Sequence, residues 1–179
     1  MEEFLKVHFL ETGLGWAGTG AMMAVMFGGM GSARGIRTAV AQAAGVLSEK
    51  PELFGRLLVL MAMPGTQGFY GFICAVTIAM RIGLIEGTIN VSPIVGMGLF
   101  FTGLFMGVVL WRSATWQGEA SAAAINLTAK RPEEAGRAIL MPALVETYAV
   151  VALLAAILMI MWLTKIGGLT FVTPETIPH

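Results

Sequence analysis

Long runs without charge alternate with short charged links along this chain. A helix that crosses a bilayer needs about 20 mostly apolar residues, and four runs reach that length: Thr12–Ala33, Leu57–Met80, Gly87–Trp111 and Ala138–Thr164. The last run contains a single acid, Glu146. The pattern predicts an all-α membrane protein with four transmembrane helices that extend beyond these windows. A soluble all-helical protein with buried helices is the alternative, and four such runs in one short chain argue against it.

The composition also favours a membrane protein. Of 179 residues, 56% are hydrophobic and only 12% are charged, about half the charged share of an ordinary soluble domain. The formal net charge is zero and there is no basic tract, so nucleic acid is not expected as a partner. The one cysteine, Cys74, lies in an apolar run and is most simply a small core residue.

The basic residues predict which links face the cytoplasm. They cluster around the first and third links, at Arg34, Arg37, Lys50, Arg56, Lys130, Arg131 and Arg137. The other side has only Lys6, Arg81 and Lys165. Because cytoplasmic loops carry an excess of lysine and arginine, the loops near 49–52 and 130–134 are expected to be cytoplasmic. Both termini are then expected on the opposite side of the cell membrane.

The chain contains an internal duplication. Residues 48–56, SEKPELFGR, align with residues 129–137, AKRPEEAGR, and the same offset pairs Pro51 with Pro132 and Thr66 with Thr147. Gly65 then aligns with Glu146, so only one copy keeps the acid. The two helical hairpins have the same topology, which makes this a parallel repeat. We expect a first hairpin with a short N-terminal segment (1–84), a second hairpin that carries the acid (85–165) and a C-terminal tail (166–179).

Small residues recur along the first and third helices. They are Gly20, Ala24, Gly28 and Ser32 in the first, and Gly103, Gly107, Gly118 and Ala122 in the third. Such ridges let helix backbones approach closely in lipid. The spacing fits both packing within one subunit and a tightly packed ring with these helices at its inner wall.

Polar side chains from three helices are predicted to lie at the depth of the acid. Glu146 follows Pro132 by almost the same number of positions as Gln117 precedes it. Thr66 and Gln67 follow Pro51 at nearly the same separation. Since a helix rises about 1.5 Å per residue, all four lie about 21 Å from the cytoplasmic links. An acid within the membrane indicates function by default, and hard cations take oxygen ligands of this kind.

Pro64 and Pro142 add backbone oxygens to this level, because a proline inside a helix removes a hydrogen bond and frees a carbonyl. Simpler interpretations exist for each side chain. Thr66 can bond to a carbonyl of its own helix, and the two glutamines can join helices by a packing hydrogen bond. Tyr70 and Tyr148 can be ordinary apolar fillers with satisfied hydroxyls.

Four motifs carry a resemblance to a known family. MPGTQGFYGF, WQGEASAAA, AKRPEEAGRA and VETYAVV closely resemble the rotor-ring proteolipid of V-type rotary ATPases, in particular the subunit K type of bacterial sodium-pumping enzymes. The resemblance runs from about Gly20 to Leu163. It implies two fused hairpins with one acid in the last helix, and a homo-oligomeric ring in the membrane.

The resemblance also implies a role for each matching residue. Glu146 would be the ion-carrying carboxylate. The other ligands would be Thr66, Gln67 and Gln117 through side-chain oxygens and Met63 through its backbone carbonyl, with Tyr70 holding the site shut. The third helix looks longer than in short family members and places Arg112 in or near the membrane. If its register differs, Gln117 leaves the site and Glu119 becomes a candidate.

The ion and the partners follow as expectations. The ligand set favours Na⁺, with a proton-carrying ring of the same family as the alternative and a small secondary transporter or channel as a third possibility. The expected partners are further copies of the chain, a stator subunit with an arginine, central-stalk subunits and lipids. No G-x-x-x-x-G-K-[ST] loop is present, so ATP chemistry is expected in partner subunits. No organic cofactor is expected, and the sequence leaves open whether the assembly pumps or synthesises.

Overall fold

Four long helices make up nearly all of the computed structural model, which describes residues 1–89 and 91–166. Helix α1 is Leu14–Glu49 and α3 is Pro93–Lys130. Helix α2 has four consecutive parts: Pro51–Leu53, Phe54–Ala62, Met63–Gly65 and Thr66–Arg81. Helix α4 is Leu140–Ile166, and two short turns precede it, Pro132–Glu134 and Ala135–Ala138. Two short turns, Glu2–Leu5 and Lys6–Glu11, precede α1. Beyond Ile166, the predicted C-terminal tail lies outside the described residues.

The two hairpins turn in the same way. The amide of Lys50 donates to Val46 and that of Arg131 donates to Leu127, both at 2.8 Å. In each hairpin a proline follows and opens a 3-10 turn, at Pro51 and Pro132. Proline suits this position because it cannot continue the previous helix but its fixed φ suits the start of the next. The two copies of the repeat therefore have the same helix–turn–helix geometry.

Helices α1 and α3 run side by side in the same direction, with glycine against glycine. A Cβ on Gly103 would collide with the carbonyl of Gly20, and one on Gly118 would lie 2.5 Å from Cα of Gly35. Gly96 similarly contacts Gly13 near the N-terminal ends of these helices. The predicted small-residue ridges therefore pack α1 onto α3 within one chain, over nearly their full length.

The interior has an apolar cluster on each side of a polar layer. On α1, Ser32 lies between Ala24 of one cluster and Ala39 of the other. The other helices repeat this order, with Gln67 between Leu60 and Cys74, Gln117 between Leu110 and Ala124, and Glu146 between Ala138 and Ala149. The polar side chains of all four helices consequently meet at one level inside the bundle.

Three continuous helical segments, counted with their short turns, are long and apolar enough to cross a membrane by length and composition: Pro51–Arg81, Pro93–Lys130 and Pro132–Lys165. Helix α1 is long enough as well, but its glycines lower its hydropathy. The buried face of α1 is made of small residues, among them Ala17, Gly28 and Ala43. Since α1 lies along α3, it occupies the same depth, which agrees with the predicted four-helix membrane protein.

Candidate ion-binding site

A break in α2 places the first part of the site. Pro64 has no amide hydrogen, and the chain forms a 3-10 turn over Met63–Gly65 before the helix resumes at Thr66. The Thr66 hydroxyl donates to the carbonyl of Met63 at 3.1 Å and lies 3.3 Å from Oε1 of Gln67. Three oxygens, from a carbonyl, a hydroxyl and a carboxamide, are thereby gathered within one helical turn.

Two buried glutamines join α2 to α3 and α4. Gln67 and Gln117 are both 0% exposed. Nε2 of Gln67 donates to Oε1 of Gln117 at 2.5 Å. Nε2 of Gln117 donates in turn to the carbonyl of Pro142 at 3.2 Å and to Oε2 of Glu146 at 3.3 Å. Because a buried carboxamide must find partners for both its ends, this chain of bonds fixes the level at which the three helices meet.

Glu146 is the last member of this series of hydrogen bonds and lies half-buried on α4. Its Oε1 accepts a 2.7 Å hydrogen bond from the Tyr70 hydroxyl, and its Oε2 accepts the bond from Gln117. Each carboxylate oxygen therefore has a donor from a different helix. The cluster holds one acid among neutral oxygens, a combination that suits a hard monovalent cation or a proton.

The structure brings together the four polar side chains predicted at this level and Tyr70, whereas Tyr148 is exposed. Thr66, Gln67, Tyr70, Gln117 and Glu146, with the carbonyl of Met63, form one hydrogen-bonded network. One detail differs from the expected ligand geometry. Gln117 turns its nitrogen toward Glu146, because a carboxylate needs donors while the glutamine oxygen is held by Gln67.

The register of α3 is clear from the same contacts. Gln117 is buried in the network, whereas Glu119 is exposed on another face of the helix. Arg112 is also exposed, and its guanidinium carbon lies 4.7 Å from the centre of the Trp116 ring. A cation over an indole face is attracted by the ring quadrupole, so Trp116 is a neighbour that the sequence pattern did not suggest for this arginine.

Two serines border the network, and the sequence reasoning did not include them among the site residues. Ser113 Oγ accepts from Nε2 of Gln67 and donates to the carbonyl of Val145, both at 3.4 Å. Ser32 Oγ accepts from the amide of Gly68 at 2.8 Å. Ser113 lies one helical turn before Gln117, and this spacing was the available signal. The spacing on α1 identifies Ser32 only as a small packing residue.

Fold and site together define a class of protein: a duplicated helical hairpin in the membrane with one acid in its second half. The family model for the C subunit of ATP synthase matches residues 19–78 and again residues 100–159. The two matches start at the same offset as the two copies of the internal repeat. The chain therefore belongs to the family of ATP synthase C subunits.

Two curated proteins resemble most of the chain. One is the V-type sodium ATPase subunit K of Enterococcus hirae, 37% identical over 140 residues, which are 77% of this chain and 85% of that protein. The other is the A-type ATP synthase subunit K of Methanocaldococcus jannaschii, 36% identical over 146 residues, which are 82% of this chain and 62% of that protein. The family resemblance seen in the motifs is confirmed.

Membership of this family assigns the general role of the chain. It is a proteolipid of the ion-carrying rotor ring of a rotary ATPase, and it lies in the membrane. It works as an oligomer together with other subunits of the ATPase. Membership of this family does not define which ion binds at Glu146.

Proposed function

We propose that this protein carries Na⁺ on Glu146 and couples its movement to ATP hydrolysis or synthesis in partner subunits. The observation that carries the proposal is the set of oxygens around the acid. A proton needs only the carboxylate and one partner, whereas the carbonyl of Met63, the Thr66 hydroxyl and two carboxamides are also gathered there. Such neutral oxygens replace the water that a hard cation loses on binding.

Binding requires a small rearrangement of the two glutamines. In the arrangement described above, Oε1 of Gln117 accepts from Gln67 and its nitrogen faces Glu146. A half-turn of the terminal torsion of Gln117, which is roughly two-fold, presents Oε1 to the ion and the nitrogen to Gln67. A matching half-turn of Gln67 then lets its Oε1 accept from that nitrogen, because two amide nitrogens cannot bond to each other. The ion then takes the place of the donor at Oε2 of Glu146. We assign Glu146, Gln117, Thr66 and Gln67 as side-chain ligands, and Met63 as a backbone ligand.

Tyr70 closes the site in this proposal. Its hydroxyl donates to Oε1 of Glu146 from α2, one helical turn beyond Thr66. This bond leaves the carboxylate negative while fixing one of its oxygens. The tyrosine ring also packs against the larger apolar cluster.

The similarity to the E. hirae sodium ATPase subunit supports Na⁺ as the ion. The similarity to an ATP synthase subunit supports use of the same ring in either direction. A neutral ion–carboxylate pair is far less costly to move through lipid than a bare carboxylate. Moving one charge across 100 mV corresponds to about 2.3 kcal/mol, so several ions per ATP reach the scale of ATP hydrolysis.

The proposed cycle involves the expected partners. Copies of the chain turn against a stator subunit, whose arginine displaces the ion from Glu146, and central-stalk subunits connect the ring to the ATP-hydrolysing part. Lipids face the neutral, ion-loaded sites elsewhere. The links near 49–52 and 130–134 face the cytoplasm and both termini face the other side, supported by the distribution of arginine and lysine. Residues 1–84 and 85–165 act as first and second hairpin, and 166–179 as a tail.

Carbodiimide labelling of the purified ring tests the ion. The reagent attacks a protonated carboxyl, so bound Na⁺ is expected to slow labelling of Glu146, whereas the same concentration of KCl is not. Exposed Glu119 is an internal control, because its labelling should be independent of Na⁺. If labelling of Glu146 follows pH alone, the ring carries protons.

A further inference from the structure

Helix α1 supplies no ligand to the proposed ion site, yet it contacts the break in α2 directly. A Cβ on Gly28 would lie 2.8 Å from the carbonyl oxygen of Gln67, and one on Gly35 would lie 2.7 Å from Cβ of Pro64. Between these two glycines Ser32 is buried, with 6% of its surface exposed. Helix α1 therefore packs directly against the break in α2.

Ser32 makes the one side-chain hydrogen bond from α1 to α2 within the described residues. Its Oγ accepts from the amide of Gly68 at 2.8 Å. Gly68 is the third residue of the segment Thr66–Arg81, at the start of a helix, where amides lack the partner of a regular helical turn. A Cβ at position 68 would lie 3.4 Å from the serine oxygen, which is an ordinary van der Waals contact, so the backbone amide is the group that defines this approach.

We infer that Ser32 is a positioning residue for the ion site, acting through the backbone of α2. By holding the amide of Gly68, it sets where the helix resumes after the 3-10 turn. The placement of Thr66, of Gln67 and of the Met63 carbonyl follows from that point. The inference rests on the proposed function of these groups as ion ligands.

The internal repeat gives this inference a second support. Ser113 is the counterpart of Ser32 in the alignment of the two hairpins. It approaches the same turn of α2 from α3, where its Oγ accepts from the Gln67 side chain at 3.4 Å. One serine thus contacts the backbone after the break and the other contacts a side chain, each from the first helix of its own hairpin.

The chain offers a matched control for the test. Ser121 is a buried serine on α3, 0% exposed, and its hydroxyl has no hydrogen-bond partner within the described residues. Ser32→Ala and Ser121→Ala each remove one hydroxyl oxygen from a buried serine. Only the first removes an acceptor from α2. Rings of both variants and of the wild type are purified, and the Na⁺ concentration that halves carbodiimide labelling of Glu146 is measured.

We expect Ser32→Ala to raise the half-protecting Na⁺ concentration by about three- to tenfold, the effect of one lost hydrogen bond. Ser121→Ala should stay within about twofold of the wild type, since it loses no bond. Amide hydrogen exchange of the peptide covering 63–69 should accelerate in Ser32→Ala alone. Equal Na⁺ protection in the wild type and Ser32→Ala rings would overturn the inference, and so would an equal loss in Ser121→Ala.

Further variants separate the possible failures. If Ser32→Ala does not assemble, Ser32→Cys keeps a similar volume with a weaker acceptor, and the same shift in the same direction is required of it. If labelling of the wild type does not respond to Na⁺, the sodium proposal fails on its own. The variants are then compared by the pH of half-labelling, where a shift confined to Ser32→Ala supports positioning and no shift rejects it.

Discussion

The two hairpins share a backbone plan but differ where it matters for the ion. Thr66 and Thr147 are equivalent, and each donates its hydroxyl to the carbonyl three residues earlier, Met63 and Leu144. Thr66 nevertheless belongs to the polar network, while Thr147 is exposed. Gly65 takes the place that Glu146 has in the second hairpin. Equivalent positions therefore lie in the site in one hairpin and on the exposed surface of the single chain in the other.

The difference suggests a division of roles after duplication. The first hairpin keeps neutral oxygens and a broken helix, and the second keeps the charge. An ionised carboxylate is costly in the membrane unless it is paired. Because only one hairpin has an acid at this position, and groups from both hairpins surround it, the chain does not place a second carboxylate at the equivalent position. The pair of hairpins, rather than each hairpin, is therefore the unit that carries one ion in our proposal.

The largest expected effect follows from removing the acid. Glu146→Gln should abolish ATP-driven Na⁺ uptake by vesicles containing the whole ATPase, because a carboxamide has no charge with which to bind and release a cation. Glu119→Gln, which alters an exposed acid, should leave uptake close to the wild type. Adding Gly65→Glu to Glu146→Gln should not restore uptake, since Thr147 and Tyr148 are exposed. Restored uptake would mean that the hairpins are interchangeable.

The two equivalent threonines give a sharper comparison. Thr66→Ala should raise the half-protecting Na⁺ concentration in the labelling assay by about tenfold or more, the effect expected for a ligand oxygen in a charged site. Thr147→Ala loses the same local hydrogen bond to its own helix but no network contact. It should match the wild type. Similar effects of the two substitutions would show that Thr66 acts only within its helix.

A smaller effect is expected at the tyrosines. Tyr70→Phe removes the 2.7 Å bond to Glu146, so Na⁺ protection should weaken by about three- to tenfold and labelling should become faster. Tyr148→Phe is the control, because that side chain is 75% exposed. An unchanged Na⁺ response in Tyr70→Phe would leave the tyrosine as an apolar filler with a satisfied hydroxyl.

The smallest effect concerns the arginines that follow the two turns. Nη1 of Arg56 donates to the carbonyl of Pro132 in the other hairpin at 2.8 Å, whereas Arg137 pairs with Glu134 in its own turn. Arg56→Ala should lower the unfolding free energy by about 0.5–1 kcal/mol. Arg137→Ala should change it by less, since exposed ion pairs contribute little. Thermal unfolding of the ring measures both, and the reverse order would contradict the assigned contacts.

The level of the site could be predicted from the sequence because helices rise uniformly. Counting from Pro51 and Pro132 predicts that Gln67 and Glu146 lie at one depth, and in the structure both side chains bond to Gln117. The parallel duplication was equally accessible, because the residues at both turns are retained. The four-helix architecture followed from charge-free runs, although glycine makes α1 less apolar than its neighbours.

Other features depend on contacts that no local pattern contains. Whether a serine hydroxyl finds a partner depends on the opposite helix, so Ser32 and Ser121 look alike in the sequence while only the first bonds to α2. The orientation of the Gln117 carboxamide depends on the competing demands of Gln67 and Glu146. The extent of the 3-10 turn after Ala62 is likewise a tertiary result, since Pro64 alone predicts only a distortion.

The glycine contacts between α1 and α3 have a mechanical consequence. Where Gly20 meets Gly103 and Gly35 meets Gly118, backbone touches backbone, and no side-chain torsion is available to absorb displacement. Densely packed interfaces of this kind resist gradual deformation. The pair α1 and α3 should thus behave as one stiff body, so that a displacement at one end of the pair is carried to the other end with little bending.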